Sequence, residues 1–410
     1  MTRIVQKFGG TSVADVDRIK NVARKVKAEY DKGHQVAVVV SAMAGVTNSL
    51  VRYCQDVSPD YDAREYDAVV STGEQVTTGL LAIALQSLGV PARSFTGWQV
   101  PVLTDKAAGK ARIDTIEPDR LKACLEKGIV PVVAGFQGVD EDGRTTTLGR
   151  GGSDTSAVAL AAVLKADRCD IYTDVDGVYT TDPRFVKNAR KLDRVTYEEM
   201  LEMASLGAKV LQTRSVELAM KYRVNLRVVS SFEENPVGTI ICDEDDIVEK
   251  EIISGITYSR DEAKITLAGV RDTPGVSAAV FDAMAEANVC VDMIVQTDSS
   301  DGKLTDMTFT VPQTDLKKAL ASLESRRERI GFSSLMSDTD CVKVSLVGVG
   351  MRTHTGIAGK MFKALSEKGI NVQAIATSEI KISVLIAEDY AELAVRALHA
   401  AFHLDRKEEG

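Results

Sequence analysis

Three stretches carry residue types able to hold an anion. The first is Gly149-Arg150-Gly151-Gly152-Ser153-Asp154, followed by an Ala, Val and Leu run over 155–166 that reads as a buried helix. A glycine loop ending in Ser-Asp at a helix start offers free backbone N–H groups and the positive end of the helix dipole. A flexible turn before a capped helix would look similar, but the flanking Arg150 and Asp154 favour a site. The second, Lys7-Phe8-Gly9-Gly10-Thr11-Ser12, closes the first strand and puts a lysine where it can hold phosphate as a point charge. It matches neither GxxxxGK[ST] nor GxGxxG. The third, residues 172–184, sets Asp174, Asp176, Asp182 and Arg184 into a turn-rich run. It lacks the spacing of a calcium loop and reads better as a nucleotide loop, Tyr179 supplying a ring face and Arg184 a phosphate fork.

These stretches need a frame. From residue 3 to about 230, strand-like runs at 4–8, 35–41, 68–71, 92–95, 130–134, 171–173 and 226–229 alternate with helical stretches, the rhythm of a mostly parallel sheet. Most of them run into a glycine or hydroxyl loop: Gly9-Gly10, Ser41 to Gly45, Ser71-Thr72-Gly73-Glu74, Gly135, Thr173-Asp174. Ligands of open α/β sheets sit outside the carboxyl ends of strands, so these loops should share one crevice. An acidic, turn-rich stretch from 231 to 251 reads as a domain connection, with a boundary near 245.

Beyond it the text repeats. Lys264-Ile265-Thr266-Leu267-Ala268-Gly269-Val270 answers to Lys343-Val344-Ser345-Leu346-Val347-Gly348-Val349, and Gly275-Val276 with Phe281 answers to Gly356-Ile357 with Phe362. Each copy reads strand, glycine loop, helix, strand, strand, helix, a ferredoxin-like order. The second copy lacks a last strand, and an unassigned strand at 252–258 precedes the first. That strand is expected to complete the second module, interleaving the two.

Lys plus Arg is 50 against 59 Asp plus Glu, a formal charge of −9, which disfavours nucleic acid and anionic lipid as partners. Six scattered cysteines without a CxxC pair are expected of reduced thiols in the cytoplasm, and no metal site is expected. No apolar stretch is read as approaching the ~18 residues of a membrane span, and the N-terminus does not read as a leader. Of the four histidines only His34 lies in the first 350 residues, so chemistry there must do without a histidine base. His399 and His403, at helical i, i+4 spacing with no third ligand, read as a solvated helix face.

KFGGTS, STGE, GRGGSD, the 172–184 run and Gly207-Ala208-Lys209 together resemble the aspartate kinases of the amino acid kinase family, and the repeat resembles their paired ACT regulatory domains. The resemblance implies an amino acid kinase-type open sheet over 1–245, a first ACT domain over 264–337, and a second formed by 252–263 with 338–404. It implies Lys7 and Asp154 as the catalytic pair, and aspartate held by Ser41, Thr47, Glu74, Arg150 and Ser153 with Phe136 nearby. ATP would be held by Lys7, Gly9, Gly10, Ser12, Thr173, Asp174, Tyr179, Arg184 and Lys209, with Mg²⁺ shared among the phosphates. The expected reaction is phosphorylation of the side-chain carboxylate of L-aspartate, the first step of lysine, threonine and methionine biosynthesis. That carboxylate ordinarily titrates near ~3.9, so it is ionised at neutral pH and needs no general base, which fits the scarcity of histidine.

Feedback by lysine and threonine is implied at Asp272, Gly275, Ala278, the strand from Asp292 to Gln296, Asn371 and Val372, with Thr355, Ser378 and Glu379 near a second pocket. The loop before the second module's helix reads His354-Thr355-Gly356 where the resemblance leads one to expect His-Pro-Gly. Two other readings stay open at this point: another amino acid kinase, against which Glu74 and Arg150 with paired ACT modules argue, and a non-catalytic amino-acid sensor, which would have lost Lys7, Asp154 or Lys209. A homodimer through the ACT modules is the simpler assembly; a heterotetramer with an internally initiated short chain is the alternative.

Overall fold

The computed structural model describes residues 2–206, 210–234, 236–246, 252–298 and 304–406. They fall into two compact units. One holds the chain to Val178, Lys191–Ala204 and the stretch from 210 to 246; the other holds Tyr179–Arg190 and the chain from 252 onward.

The first unit is built on an eight-stranded sheet. In spatial order its strands are Arg194–Thr196, Thr239–Cys242, Leu226–Ser230, Arg168–Thr173, Arg3–Phe8, Gln35–Val40, Val130–Ala134 and Ala92–Phe95. All neighbours run parallel except Leu226–Ser230 with Thr239–Cys242. The central strands are covered on both faces, which is why 36–40 is an unbroken Val and Ala run, all buried. Helix Val16–Asp31 covers one face; Asp15 caps it by accepting from Arg18 N, and Ile19, Val22, Ala23 and Val26 supply its buried stripe. Helix Gly152–Leu164 is apolar on nearly every side because it is buried along almost its whole length. A second sheet, Ile113–Ile116, Val102–Thr104, Gln137–Val139 and Thr145–Thr147, holds the chain that leads into residues 149–154.

Residues 68–71, read from sequence as a strand, instead end helix Ala63–Val70, and Thr72–Ser87 follows at once. Asp62 caps the first helix through Arg64 N, and its buried positions, Asp67 and Val70, stand three apart with Ala68 and Val69 facing out, a helical spacing. The stretch Ala63–Ser87 is long and apolar enough to cross a membrane by length and composition, contrary to the sequence expectation. Half of its apolar window is buried within the protein, where Leu81 and Leu85 join the sheet core.

The second unit contains two four-stranded antiparallel sheets of identical layout. In spatial order one runs Asp292–Asp298, Leu304–Val311, Ala263–Arg271, Ser334–Asp338, and the other Ala374–Thr377, Lys381–Ala387, Cys341–Val347, Gly255–Ser259. Strand Gly255–Ser259 thus stands, antiparallel to Cys341–Val347, where the other sheet has its last strand. Helices Val276–Glu286 and Leu316–Glu324 pack on the first sheet, and Ile357–Ser366 and Ala391–Ala401 on the second. The segment from Tyr179 to Arg190 joins this second core: Val186 is buried among Ile253, Ile256, Val344 and Leu398, and Thr180 O accepts from Ile256 N.

Candidate active site

Register places the loops of the first unit. Phe8 pairs with Val40 and Tyr172, and Val40 with Ala134, so four parallel strands end level. Gly9-Gly10, Ser41, Gly135-Phe136 and Thr173 therefore emerge along one edge, stitched by Gly9 N to Tyr172 O, Ser41 N to Phe8 O and Gly135 N to Val40 O. Helix Gly152–Leu164 opens at the same edge.

Lys7 and Asp154 meet there. Lys7 Nζ lies 2.6 Å from Asp154 Oδ1, and both side chains are 10% exposed. Asp154 sits in the first turn of its helix, where the dipole favours negative charge. Ser153, next to it, lies so close to Gly135 that a Cβ there would come within 2.8 Å of the Ser153 side chain. That close approach is what Gly135 permits.

Glu74 occupies the first turn of helix Thr72–Ser87 and is 3% exposed. Oε1 accepts from Ala42 N at 3.1 Å, while Oε2 has no hydrogen-bond partner. Burial outweighs the backbone hydrogen bonds and pushes its pKa up to about 7. A buried carboxylate oxygen without a donor is costly unless something cationic completes it. Thr47, on the first turn of helix Val46–Val57, follows Gly45 at φ 82°.

Phe136 carries φ 70°, strained for an aromatic residue, and is held there by Ser156 Oγ, which accepts from its N–H, and by Leu148 N, which donates to its carbonyl. Several supports of this loop carry no motif. Asp67, fully buried, accepts from Gly109 N, Thr147 N and Thr147 Oγ1. Arg214 donates to Leu148 O and Ala111 O, and Gln212 Nε2 to Arg150 O. The only sequence signals were an aspartate in a helix and two polar residues at a helix start, which every surface helix also has.

Of the nucleotide positions, Gly9, Gly10, Ser12, Thr173 and Asp174 lie at this edge of the first unit, and Thr173 Oγ1 donates to Asp174 Oδ1. Tyr179 and Arg184 belong to the second unit. Arg184, 82% exposed, forks onto Asp182, which also accepts from Tyr258 Oη. Lys209 lies outside the described residues, as do Gly207 and Ala208.

In the second unit Gly275 and Gly356, at φ 95° and 86°, occupy equivalent positions before Val276–Glu286 and Ile357–Ser366, as the sequence repeat anticipates. Asp272, Gly275, Ala278, Thr355 and Asn371 are exposed and Val372 is half-buried. Ser277 Oγ donates to Gln296 Oε1; Asp292 accepts from Lys343 Nζ, a residue of the other sheet. Ser378 N donates to Lys381 O, and Glu379 pairs with Arg352. His399 corrects the sequence reading: it is 2% exposed and bonded to Thr180 Oγ1 at 3.1 Å, because residues 179–190 cover a helix face that looks solvated in sequence. Among the described residues no cluster of His, Cys, Asp or Glu is arranged to hold a metal ion.

Comparison with known proteins identifies the family of each part of the chain. Residues 2–230 match the amino acid kinase family, and residues 265–326 and 344–402 match the ACT domain. The chain is 58% identical over 405 residues to a protein named aspartate kinase from Stutzerimonas stutzeri, covering 99% of this chain and 98% of that one. It is 48% identical over 413 residues to aspartokinase of Mycobacterium tuberculosis H37Rv, covering 100% and 98%. Among solved structures it resembles Escherichia coli aspartokinase III in complex with aspartate and ADP, with a TM-score of 0.82 at 27% identity over 97% of this chain and 99% of that one. The same enzyme with lysine and aspartate gives 0.76.

Proposed function

The chain belongs to the amino acid kinase family, and we infer that it transfers the γ-phosphoryl group of ATP to the side-chain carboxylate of L-aspartate. The products are 4-phospho-L-aspartate and ADP, the entry to lysine, threonine and methionine biosynthesis. The observation that carries this reading is the Lys7–Asp154 pair at the strand ends beside a buried, half-satisfied Glu74.

The chemistry asks little of the protein in proton transfer. An oxygen of the ionised substrate carboxylate attacks the γ-phosphorus in line, the bond to the β–γ bridging oxygen breaks, and ADP leaves with that electron pair. No proton moves, so no base is required. What remains is positioning and charge. Lys7 is aimed at the edge where Gly9 and Gly10 leave backbone room for phosphates, and its charge offsets that which builds on the transferred group. Asp154 holds the Lys7 ammonium in place instead of accepting a proton. Glu74 Oε2 suits the substrate α-ammonium, Arg150 can fork onto the α-carboxylate, and Ser41, Thr47 and Ser153 border the same space beside Phe136. The substrate form of the nucleotide would be MgATP, the ion adding positive charge at the phosphates to that of Lys7. Thr173, Asp174, Ser12, Tyr179, Arg184 and Lys209 complete our nucleotide assignment.

We assign the kinase domain to 1–245, the first ACT domain to 264–337 and the second to 252–263 with 338–404; the pairing of Gly255–Ser259 with Cys341–Val347 supports the interleaving. Lysine and threonine are our proposed effectors, bound at the glycine loops before Val276 and Ile357 and the strands beside them. A homodimer through the ACT domains is our preferred assembly, and the free cysteines fit a reducing cytoplasm.

The test is ADP formation from MgATP and L-aspartate, with hydroxylamine trapping the acyl phosphate, in the presence of lysine, threonine, both or neither. Aspartate-dependent turnover suppressed by an effector supports both halves. Well-folded protein without aspartate-dependent turnover would leave a sensor or another acceptor.

A further inference from the structure

Away from the proposed active site, the second unit has a cavity of about 530 Å³. One wall is the chain from Phe185 to Asn188; the other is the last helix and the turn after it, from Arg396 to Arg406. The lining carries three permanent cations, Lys187, Arg396 and Arg406, with His399 and His403, against one carboxylate, Asp405. This excess of positive charge stands in a chain whose formal net charge is −9. Arg396 has Glu392 one turn back at 3.7 Å, and among the described residues neither Lys187 nor Arg406 forms an ion pair.

Lys187, Arg396, Arg406 and His403 are solvent-exposed where they line this space, and His399 is buried beneath them in the last helix. With cations on both walls and a single carboxylate, Asp405, among them, the cleft carries a positive potential that favours an anion. Two guanidinium groups and an ammonium suit the several acceptor oxygens of a phosphate, and the volume is that of a small-molecule site. We propose that this cavity binds a small phosphate monoester, clamped between Lys187 on one wall and Arg396 and Arg406 on the other.

The segment that forms the first wall is the continuation of Tyr179, Thr180 and Arg184, and it is rooted on the last helix by the Thr180–His399 hydrogen bond. A bridging anion ties that segment more firmly to the helix. The expected consequence is a lower KM for MgATP in its presence; this second half alone rests on the nucleotide assignment of Tyr179 and Arg184 made above.

The four histidines make the test specific, since His399 and His403 line the cavity while His34 and His354 do not. The full chain, labelled at the histidine ring carbons, is titrated with glycerol 3-phosphate while MgADP is kept saturating, and sodium chloride at equal ionic strength is the control. Saturable movement of the His399 and His403 resonances alone is expected, with the midpoint raised at least about tenfold in Lys187→Gln/Arg406→Gln. No saturable movement, movement matched by sodium chloride, or an unchanged midpoint in the variant overturns the site. The unmoved His34 and His354 resonances report that the variant is folded. Binding without any change in KM for MgATP would retain the site and remove its link to the nucleotide segment.

Discussion

Lys7 and Asp154 form a 2.6 Å ion pair in which each side chain is nine-tenths covered by protein. One partner ends a central parallel strand and the other opens a buried helix, so neither can drift without disturbing the core. A pair so enclosed is held for geometry more than for stability, because desolvation offsets most of its attraction.

Lys7→Ala should lower kcat by about 10²–10³-fold, the range found when one charge-stabilising donor is removed from a transition state, while KM for aspartate changes little. Steady-state kinetics with hydroxylamine trapping measures both. Losses divided equally between kcat and KM would contradict the role given to Lys7.

Glu74 makes aspartate binding pH-dependent. Burial raises its pKa to about 7 in the free protein, whereas an unfolded glutamate titrates near ~4.3. Between those values the native state binds the extra proton, so this group makes the free fold more stable as pH falls from 7 toward 4.5. An α-ammonium on Oε2 demands the ionised form, so aspartate binding at pH 6 should release about one proton per site, and affinity should fall about tenfold per pH unit below 7. Calorimetry in buffers of different ionisation heat measures the proton. Glu74→Gln should bind aspartate weakly and without proton release; unchanged release would place the titrating group elsewhere.

Asp67 should matter to catalysis without touching substrate. Its carboxylate gathers Gly109 N, Thr147 N and Thr147 Oγ1, two residues ahead of Gly149. Asp67→Ala leaves those donors unsatisfied at a fully buried position, a loss of about 2–4 kcal/mol in stability of the first unit. KM for aspartate should rise along with it through the displaced Arg150. Urea unfolding followed beside kinetics checks the pairing; a stability loss with unchanged KM would make Asp67 structural only.

Much of this arrangement was readable from residue types alone, and the reasons differ by residue. Lys7, Glu74 and Asp154 stand beside glycines where a strand ends or a helix begins, and local chain chemistry marks such places. The repeat at 264 and 343 likewise announced two similar modules and a displaced strand. Asp67 gave no such signal, because its partners come from a strand and a turn distant in sequence. Residues 68–71 misled because four residues are too few to separate strand from helix period. His399 misled for a subtler reason: a helix face is solvated only if nothing covers it, and the cover, residues 179–190, comes from more than 200 positions earlier.

Lys343 joins the two ACT modules. Its Nζ lies 2.6 Å from Glu262 and 2.7 Å from Asp292, with only 6% of the side chain exposed. Burial pulls its pKa down, and the two carboxylates more than reverse that, leaving it above the usual lysine value; for Asp292 burial raises the pKa and Lys343 more than offsets it, leaving it lowered. The lysine's contribution is therefore complete below the unfolded value near ~10.4 and is lost as pH rises through the folded one. Lys343→Met strands the buried Glu262 carboxylate and should destabilise the second unit by about 3–5 kcal/mol. The double change Lys343→Met/Glu262→Met should recover most of it, since the only carboxylate then left without the lysine is the half-exposed Asp292. Asp292 loses its anchor in both variants, so weakened inhibition by lysine or threonine should accompany both, independent of stability. Thermal unfolding with inhibition curves for the two variants separates these effects, and full inhibition in the stable double variant would remove Asp292 from the effector site.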